Sequence, residues 1–320
     1  MSVLEEWLHE SKPGSKVVGY LKSIRFKSLD VSLYTILYIF LKKLDEDDTL
    51  QRAQAVAFNF TLAVLPTIIF VFTLIPYLPI DNFDAMIFDF LDEMLPEYVT
   101  YAVNKVIVDI VSRPRGGLLS FGFFLAAFMA TSGMRSLMDA FNSCTHSFEG
   151  RTIWKQYSIA FLLTAQLAFT MFSAIILLIY GKVILNALVE YGYVDTFFVY
   201  LLLHILRIIV ITFMFFLNTA LIYYLAPAIK VRWKLISPGS VIATTLGILT
   251  SSVFSYYLEN FNTYNKLYGS IGAVIGVMFW ILTVSYILLI GFQVNTTLDM
   301  TKERLSIFEE KQKKTEEGVV

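Results

Sequence analysis

The chain has 320 residues, 57% of them hydrophobic, 16% aromatic and only 16% charged, with a mean hydropathy of +0.65 and a formal net charge of −1. A soluble domain carries about 45–50% apolar and roughly 25% charged residues, so this composition excludes an ordinary soluble enzyme. No stretch combines a dense basic patch with aromatics, which leaves no footing for nucleic acid as a partner.

The apolar residues are clumped into runs of about 20, the length of helix that crosses a hydrocarbon layer roughly 30 Å thick. An all-α integral membrane protein is therefore expected, a bundle of about six transmembrane helices with an N-terminal interfacial helix and a helical outer loop between spans 1 and 2. The single cysteine, Cys144, permits no intramolecular disulfide and no multi-cysteine metal site. His9, His146 and His204 are too far apart in sequence for a metal-binding pair on one helix, so no metal and no cofactor is expected.

Residues 1–54 form a cytoplasmic or interfacial N-terminal segment. Its first thirty residues are mixed polar and basic and lack the apolar core of a secretory signal, so insertion is expected to use the first internal span. Residues 31–41 are an apolar run of eleven that ends in Lys42-Lys43, too short to span and read as a helix lying in the membrane interface. The acidic run 45–48 reads as a solvated turn before a helix N-terminus.

The transmembrane domain covers 55–294. Its first span is predicted over 55–75, with Pro66 inside it as a kink or hinge, because proline removes a backbone hydrogen bond. A loop over 77–116 carries seven acids against three basic residues, with Phe83, Ile87, Phe90, Leu91 and Met94 at helical spacing. The second and third spans are predicted over 117–137 and 158–180. The fourth apolar stretch, 196–225, is interrupted by His204 and Arg207. Either one helix runs beyond the bilayer, or a short interfacial piece precedes a span over 208–226. The fifth span, 241–258, is the least apolar, and the sixth, 271–292, is clear. Residues 295–320 form a cytoplasmic tail, a soluble helix or a disordered end.

Of the 25 lysines and arginines, 19 fall on the side of the termini and 6 on the other. Such an excess places both termini in the cytoplasm and the acidic 77–116 loop outside.

Polar side chains at membrane depth are costly and mark candidate sites. Asn59 lies one turn inside the first span. Arg135 and Asp139 are four apart, followed by Asn142 within a turn, so the three share one helical face. Arg135 could hold an anionic head group with Asp139 orienting it; the plain alternative is a snorkelling arginine in an intrahelical ion pair. His204 and Arg207 make a second pair near the outer side of the fourth span. Asn218 reads either as a cavity residue or as an interhelical hydrogen bond. Gly269, Gly272 and Gly276 form a small-residue ladder that suits close packing, within one chain or between two, or a hinge, so a homo-oligomer stays open. Gln293, Asn295 and Asp299 fall at the cytoplasmic end of the sixth span, where polar groups are inexpensive. No catalytic residues emerge: phosphate-loop, zinc-protease and nucleophile-elbow motifs are all absent.

Several segments in order resemble the YihY/BrkB family of six-span bacterial inner-membrane proteins, formerly described as ribonuclease BN. They are the run from Arg52 to Pro66, then Gly116-Gly117 through Ser132-Gly133-Met134-Arg135 to Ala140-Phe141-Asn142. Tyr268 to Val274, Trp280 and the closing Gly291-Phe292-Gln293-Val294-Asn295 complete the set. The sequence departs from the family's Gly-Ala-Glu-x-Asn-like closing pattern, with Gln293 in place of the acid. The resemblance implies a bacterial cytoplasmic-membrane protein with a role in transport or envelope maintenance. The residues themselves suit a transporter-like bundle whose polar cavity takes membrane lipids, anionic ones in particular, because arginine pairs bidentately with phosphate. An ion or solute channel or carrier, or a non-transporting envelope scaffold, are the rival readings, and no acid cluster supports a ribonuclease.

Overall fold

The structure is a computed structural model, and it describes residues 23, 25–26, 31–74, 116–145, 150–190, 196–229, 234–260 and 270–316. Of the 77–116 loop, residues 77–115 lie outside the described residues, as do residues 1–22, His146 and Gly269.

A two-residue antiparallel pair, β1 (Arg25–Phe26) and β2 (Val31–Ser32), leads into α1 (Leu33–Glu46). Ser32 caps α1, its Oγ accepting from the Thr35 amide at 3.3 Å, which satisfies one of the first-turn donors. The helix does not stop at the lysines, as the apolar run alone suggested. It continues through Lys42, Lys43 and two of the four acids, because those residues are good helix formers and their backbone bonds can be completed. Asp48 then takes a left-handed φ of 47°, which Asp tolerates better than most residues, and α2 (Thr49–Leu74) begins at once.

α2 runs unbroken through Pro66. It is followed by α3 (Gly116–Ser143), α4 (Ile153–Glu190), α5 (Thr196–Leu225), α6 (Pro238–Asn260) and α7 (Ser270–Glu316). Six of these helices, α2 to α7, are long and apolar enough to cross a membrane. The fourth stretch resolves in favour of one thirty-residue helix, about 45 Å long at 1.5 Å per residue. The tail is helical and continuous with the sixth span as far as Glu316, so α7 is roughly 70 Å long.

Each transmembrane helix packs on the next in sequence, and α7 returns to α2, closing a ring of six; α1 lies against α7. Consecutive elements are commonly spatial neighbours, and the connections after α3 are short; α2 and α3 pack together although a long segment joins them. α2, α4 and α6 begin at one end of the ring, where α3, α5 and the apolar part of α7 finish. Lysine and arginine gather there, and we refer to it as the basic end.

Among the described residues the core sits in the half of the ring next to that end. Phe141 of α3 and Phe292 of α7 stack at 4.3 Å, and Tyr223 of α5 meets both edge-on at 5.7 and 6.1 Å. Ala53 and Val56 of α2, Ala160 and Leu163 of α4 and Ala243 of α6 are buried in the same cluster, so every transmembrane helix contributes. The closest backbone approach is between α6 and α7. A Cβ on Gly239 would lie 2.0 Å from the Gly291 carbonyl oxygen, and one on Gly291 would lie 2.7 Å from the Gly239 oxygen. At Gly276, by contrast, a Cβ would meet Phe254 and Tyr257 at an ordinary 3.5 Å. The crossing at Gly239 and Gly291 is tighter than the contact at Gly276; Gly272 lies within α7.

Candidate functional site

Two polar assemblies occupy the basic end, one closed and one open. The closed one joins α1, α2, α3 and α7. Lys43 is only 5% exposed, and its ammonium donates to Thr296 Oγ1 at 2.9 Å and approaches Met300 Sδ at 3.8 Å. Gln293, fully buried, donates through Nε2 to Thr49 Oγ1 at 2.7 Å, to Asp47 Oδ2 at 3.3 Å and to Cys144 Sγ at 3.7 Å. Arg52 donates to the Asp47 carbonyl at 2.6 Å. Burial pushes the Lys43 ammonium below its ordinary pKa, against the pull of Asp47 and Cys144. Burial pushes the Cys144 thiol up, only partly offset by the Gln293 hydrogen bond.

Gln293 and Asn295 are therefore not inexpensive end-of-span residues. Asn295 accepts from the Gly239 amide at 2.8 Å and donates to Ser237 Oγ at 2.9 Å, which satisfies the N-terminus of α6 where it crosses α7. Nor is 45–48 simply a solvated turn, since Asp47 is drawn into this hub while Asp45, Glu46 and Asp48 stay exposed. Sequence reasoning missed Lys43 because a lysine at the end of an apolar run reads equally well as a snorkelling residue.

The open assembly is a cavity of about 490 Å³ whose described lining is Asp139, Asn142, Ser143, Thr145, Arg151 and Gln156. All six are polar in a chain that is 57% hydrophobic. Arg151 donates to the carbonyls of Leu225, Ala226 and Pro227 at 3.3, 2.9 and 2.6 Å, closing the C-terminus of α5 with a cation where the helix dipole favours one. Asn142 Oδ1 accepts from the Ala228 amide at 2.8 Å and holds the next turn of the same loop. Asp139 accepts a hydrogen bond from Gln156 and lies 3.8 Å from Arg135 Nε. Arg135 also donates to Tyr157 OH at 2.5 Å, with its guanidinium carbon 4.6 Å from that ring. The Asp139 side chain is 52% exposed and that of Arg135 36%, so the pair stands open to ligands.

Of the residues singled out from the sequence, Asp139 and Asn142 line this cavity, and Arg135 stands beside it, one turn from Asp139 on the helical face their spacing defined. The others do not join them. Asn59 donates to the Ala55 carbonyl of its own helix at 2.9 Å. His204 and Arg207 are exposed on α5, and Arg207 is roughly 27 Å along that helix from Leu225. Asn218 makes interhelical bonds, its Oδ1 accepting from Gln166 at 2.6 Å and Thr170 at 2.7 Å of α4. Ser143, Thr145, Arg151 and Gln156 are the pocket residues that sequence reasoning did not single out; the last two sit beyond a connection, and no periodicity relates them to α3.

Fold and pocket together define a six-span helical membrane protein with a polar recess at its basic end. The chain belongs to the virulence factor BrkB family, whose profile matches residues 40–315. It is 28% identical over 268 residues to YfkH of Bacillus subtilis, named a ribonuclease-like protein, covering 82% of this chain and 96% of that one. It is 23% identical over 288 residues to a UPF0761 membrane protein of Haemophilus influenzae, covering 86% of this chain and 99% of that one. A UPF0761 membrane protein of Coxiella burnetii is 22% identical over 271 residues, 83% of this chain and 94% of that one. No solved structure matches the chain.

Proposed function

We propose that this protein is a transporter-like protein of the bacterial cytoplasmic membrane that takes a phosphate-bearing lipid or lipid-linked head group into the polar recess at its basic end. The observation that carries the reading is the recess itself, a cavity of about 490 Å³ lined by Asp139 and other polar side chains, with Arg135 beside it, one turn from Asp139 on the same helical face and 36% exposed. A guanidinium there suits phosphate recognition, and Tyr157 holds its plane. The basic end faces the cytoplasm in this reading, as the distribution of lysine and arginine favours. The head groups of that leaflet then lie level with the pocket.

Native mass spectrometry of protein extracted gently from its own membrane, beside Arg135→Ala, tests the proposal. Retention of phosphate-bearing lipid that falls in the variant is the expected result. Equal weak retention of every lipid in both proteins would sink it and favour an ion or solute carrier, or an envelope scaffold. The ribonuclease-like name of the Bacillus relative gives a separate check. Incubation with RNA is expected to leave it intact, and cleavage abolished by a point mutation would overturn the non-enzymatic reading.

A further inference from the structure

We infer that the recess selects a head group carrying a protonated primary amine as well as a phosphate, and not a purely anionic one; this rests on the lipid-handling reading above. The charge arrangement decides the matter. Arg151, the cation in the lining, has three of its donor contacts on the carbonyls that end α5. Its charge is directed at the negative end of that helix, and much of its pull on a ligand is spent there. The anion in the described lining, Asp139, is more than half exposed. It is held in place by Gln156, a neutral donor, and by a single arginine at 3.8 Å, a separation too long for a hydrogen bond. Arg135 Nε makes none, although it is buried.

The Arg135–Asp139 contact is therefore long while α4 holds each partner, so a cation and an anion stand one helical turn apart without having collapsed onto each other. A ligand with a phosphate and an ammonium a few bonds apart can satisfy both groups at once, the phosphate on Arg135 and the ammonium on Asp139. A lipid whose head group adds only further negative charge meets Asp139 as a like charge and loses that partner. Ser143 adds a hydroxyl acceptor to the lining, which suits an N–H donor better than a methylated amine. Ser143 Oγ already donates to the Asp139 carbonyl at 2.8 Å, leaving its lone pairs to accept. The same chemistry is present in a phosphatidylethanolamine head group and in free phosphoethanolamine.

The full-length protein is placed in nanodiscs containing equal parts of phosphatidylethanolamine, phosphatidylglycerol and phosphatidylcholine, and the retained lipids are read by native mass spectrometry. Phosphatidylethanolamine is expected to be retained roughly tenfold over the other two, the ratio that one charge-assisted contact of about 1.4 kcal/mol produces. Asp139→Asn, a change at an exposed position that leaves the melting temperature in place, is expected to erase that preference while phosphate lipids are still held. Phosphatidylglycerol retained as well as phosphatidylethanolamine by the wild type, or an undiminished preference in Asp139→Asn, would overturn the inference and leave the lipid-handling reading intact. Failure to retain any lipid above its share in the disc would remove both. Displacement of the bound lipid by millimolar free phosphoethanolamine would show that the recess recognises the head group, and binding of free phosphoethanolamine in the absence of lipid would make the soluble molecule the source of the same chemistry.

Discussion

The hub around Lys43 and Gln293 and the recess around Arg135 and Asp139 lie at the same end of the same helical ring and are built from similar residues: a cation, a carboxylate, an amide and hydroxyls. They differ in burial. Lys43 is 5% exposed and Gln293 not at all, whereas the side chains of Arg135 and Asp139 are 36% and 52% exposed. In the hub the Lys43 and Gln293 donors reach other helices, so they tie α1 and α2 to α7. In the recess Arg151 and Asn142 are likewise spent, on the end of α5 and the turn after it, whereas Asp139 and Arg135 meet α4 and each other and stay partly exposed. Residue type marks where a polar group is costly; only its surroundings say whether the cost is met by the protein or by a ligand.

That contrast is sharpest in what substitutions should do to folding. Lys43→Ala removes a long buried side chain and leaves Thr296 and Met300 facing a void between α1 and α7, and it is expected to destabilise by about 2–4 kcal/mol. Lys43→Met keeps the volume without the charge and should cost little or even stabilise, as replacements of buried charges by apolar isosteres often do. Thermal melts of the two variants in detergent decide this. Equal losses would mean that the ammonium itself, and not the packing of its stem, holds α1 in place.

Gln293→Ala comes next. It removes the amide that donates to Thr49 and Asp47 at the centre of the hub and leaves a gap where that side chain was, a loss of about 1–3 kcal/mol, although Thr49 keeps its bond to the Leu44 carbonyl. Cys144 reports on the same event without further mutation. Its buried thiol should be alkylated slowly in the wild type and faster in Gln293→Ala, and equal rates would mean that the hub does not close over it.

How far these regions could be read from the sequence differs in an instructive way. The apolar centre of each span is plain, because a run of about 20 apolar residues has few other uses. Helices α2, α3 and α4 run several residues beyond the apolar spans at the basic end, since residues there such as Arg52, Gln54, Asp139, Asn142, Lys155 and Gln156 carry no hydropathy signal. The face shared by Arg135, Asp139 and Asn142 was legible because it lies within one helix and follows the 3.6-residue period. The hub was not, because its contacts join positions about 250 residues apart: Lys43 with Thr296, and Asp47 and Thr49 with Gln293. Asn59, His204, Arg207 and Asn218 were grouped with Arg135 on depth alone, and depth does not say which way a side chain faces.

A smaller effect separates the regions through pH. Burial holds the Lys43 pKa below that of the unfolded chain, so the unfolded state binds more protons between those two values, and stability rises with pH across that interval. Below the depressed folded pKa the penalty of burying the charged form is present in full. Lys43→Met abolishes this dependence. The difference in melting temperature between wild type and Lys43→Met should therefore shift in favour of the wild type as the pH moves from neutral into the alkaline range. A difference that stays constant would show that the ammonium is compensated as well in the folded hub as it is in water.

The smallest folding effect belongs to the recess, and it is the most telling. Arg135→Ala breaks an exposed i,i+4 ion pair and one hydrogen bond to Tyr157, interactions that at half-exposed positions are worth about 0–1 kcal/mol. Asp139→Asn should fall within about 0.5 kcal/mol of wild type. If the recess is a binding site, these are the variants in which folding and ligand retention part company: melting curves nearly superimposable on wild type, lipid retention changed. A loss above about 2 kcal/mol in Arg135→Ala would instead mean that the guanidinium, with its stacking on Tyr157, is a structural clamp between α3 and α4. Two polar assemblies would then hold the basic end together, and the contrast drawn here between them would disappear.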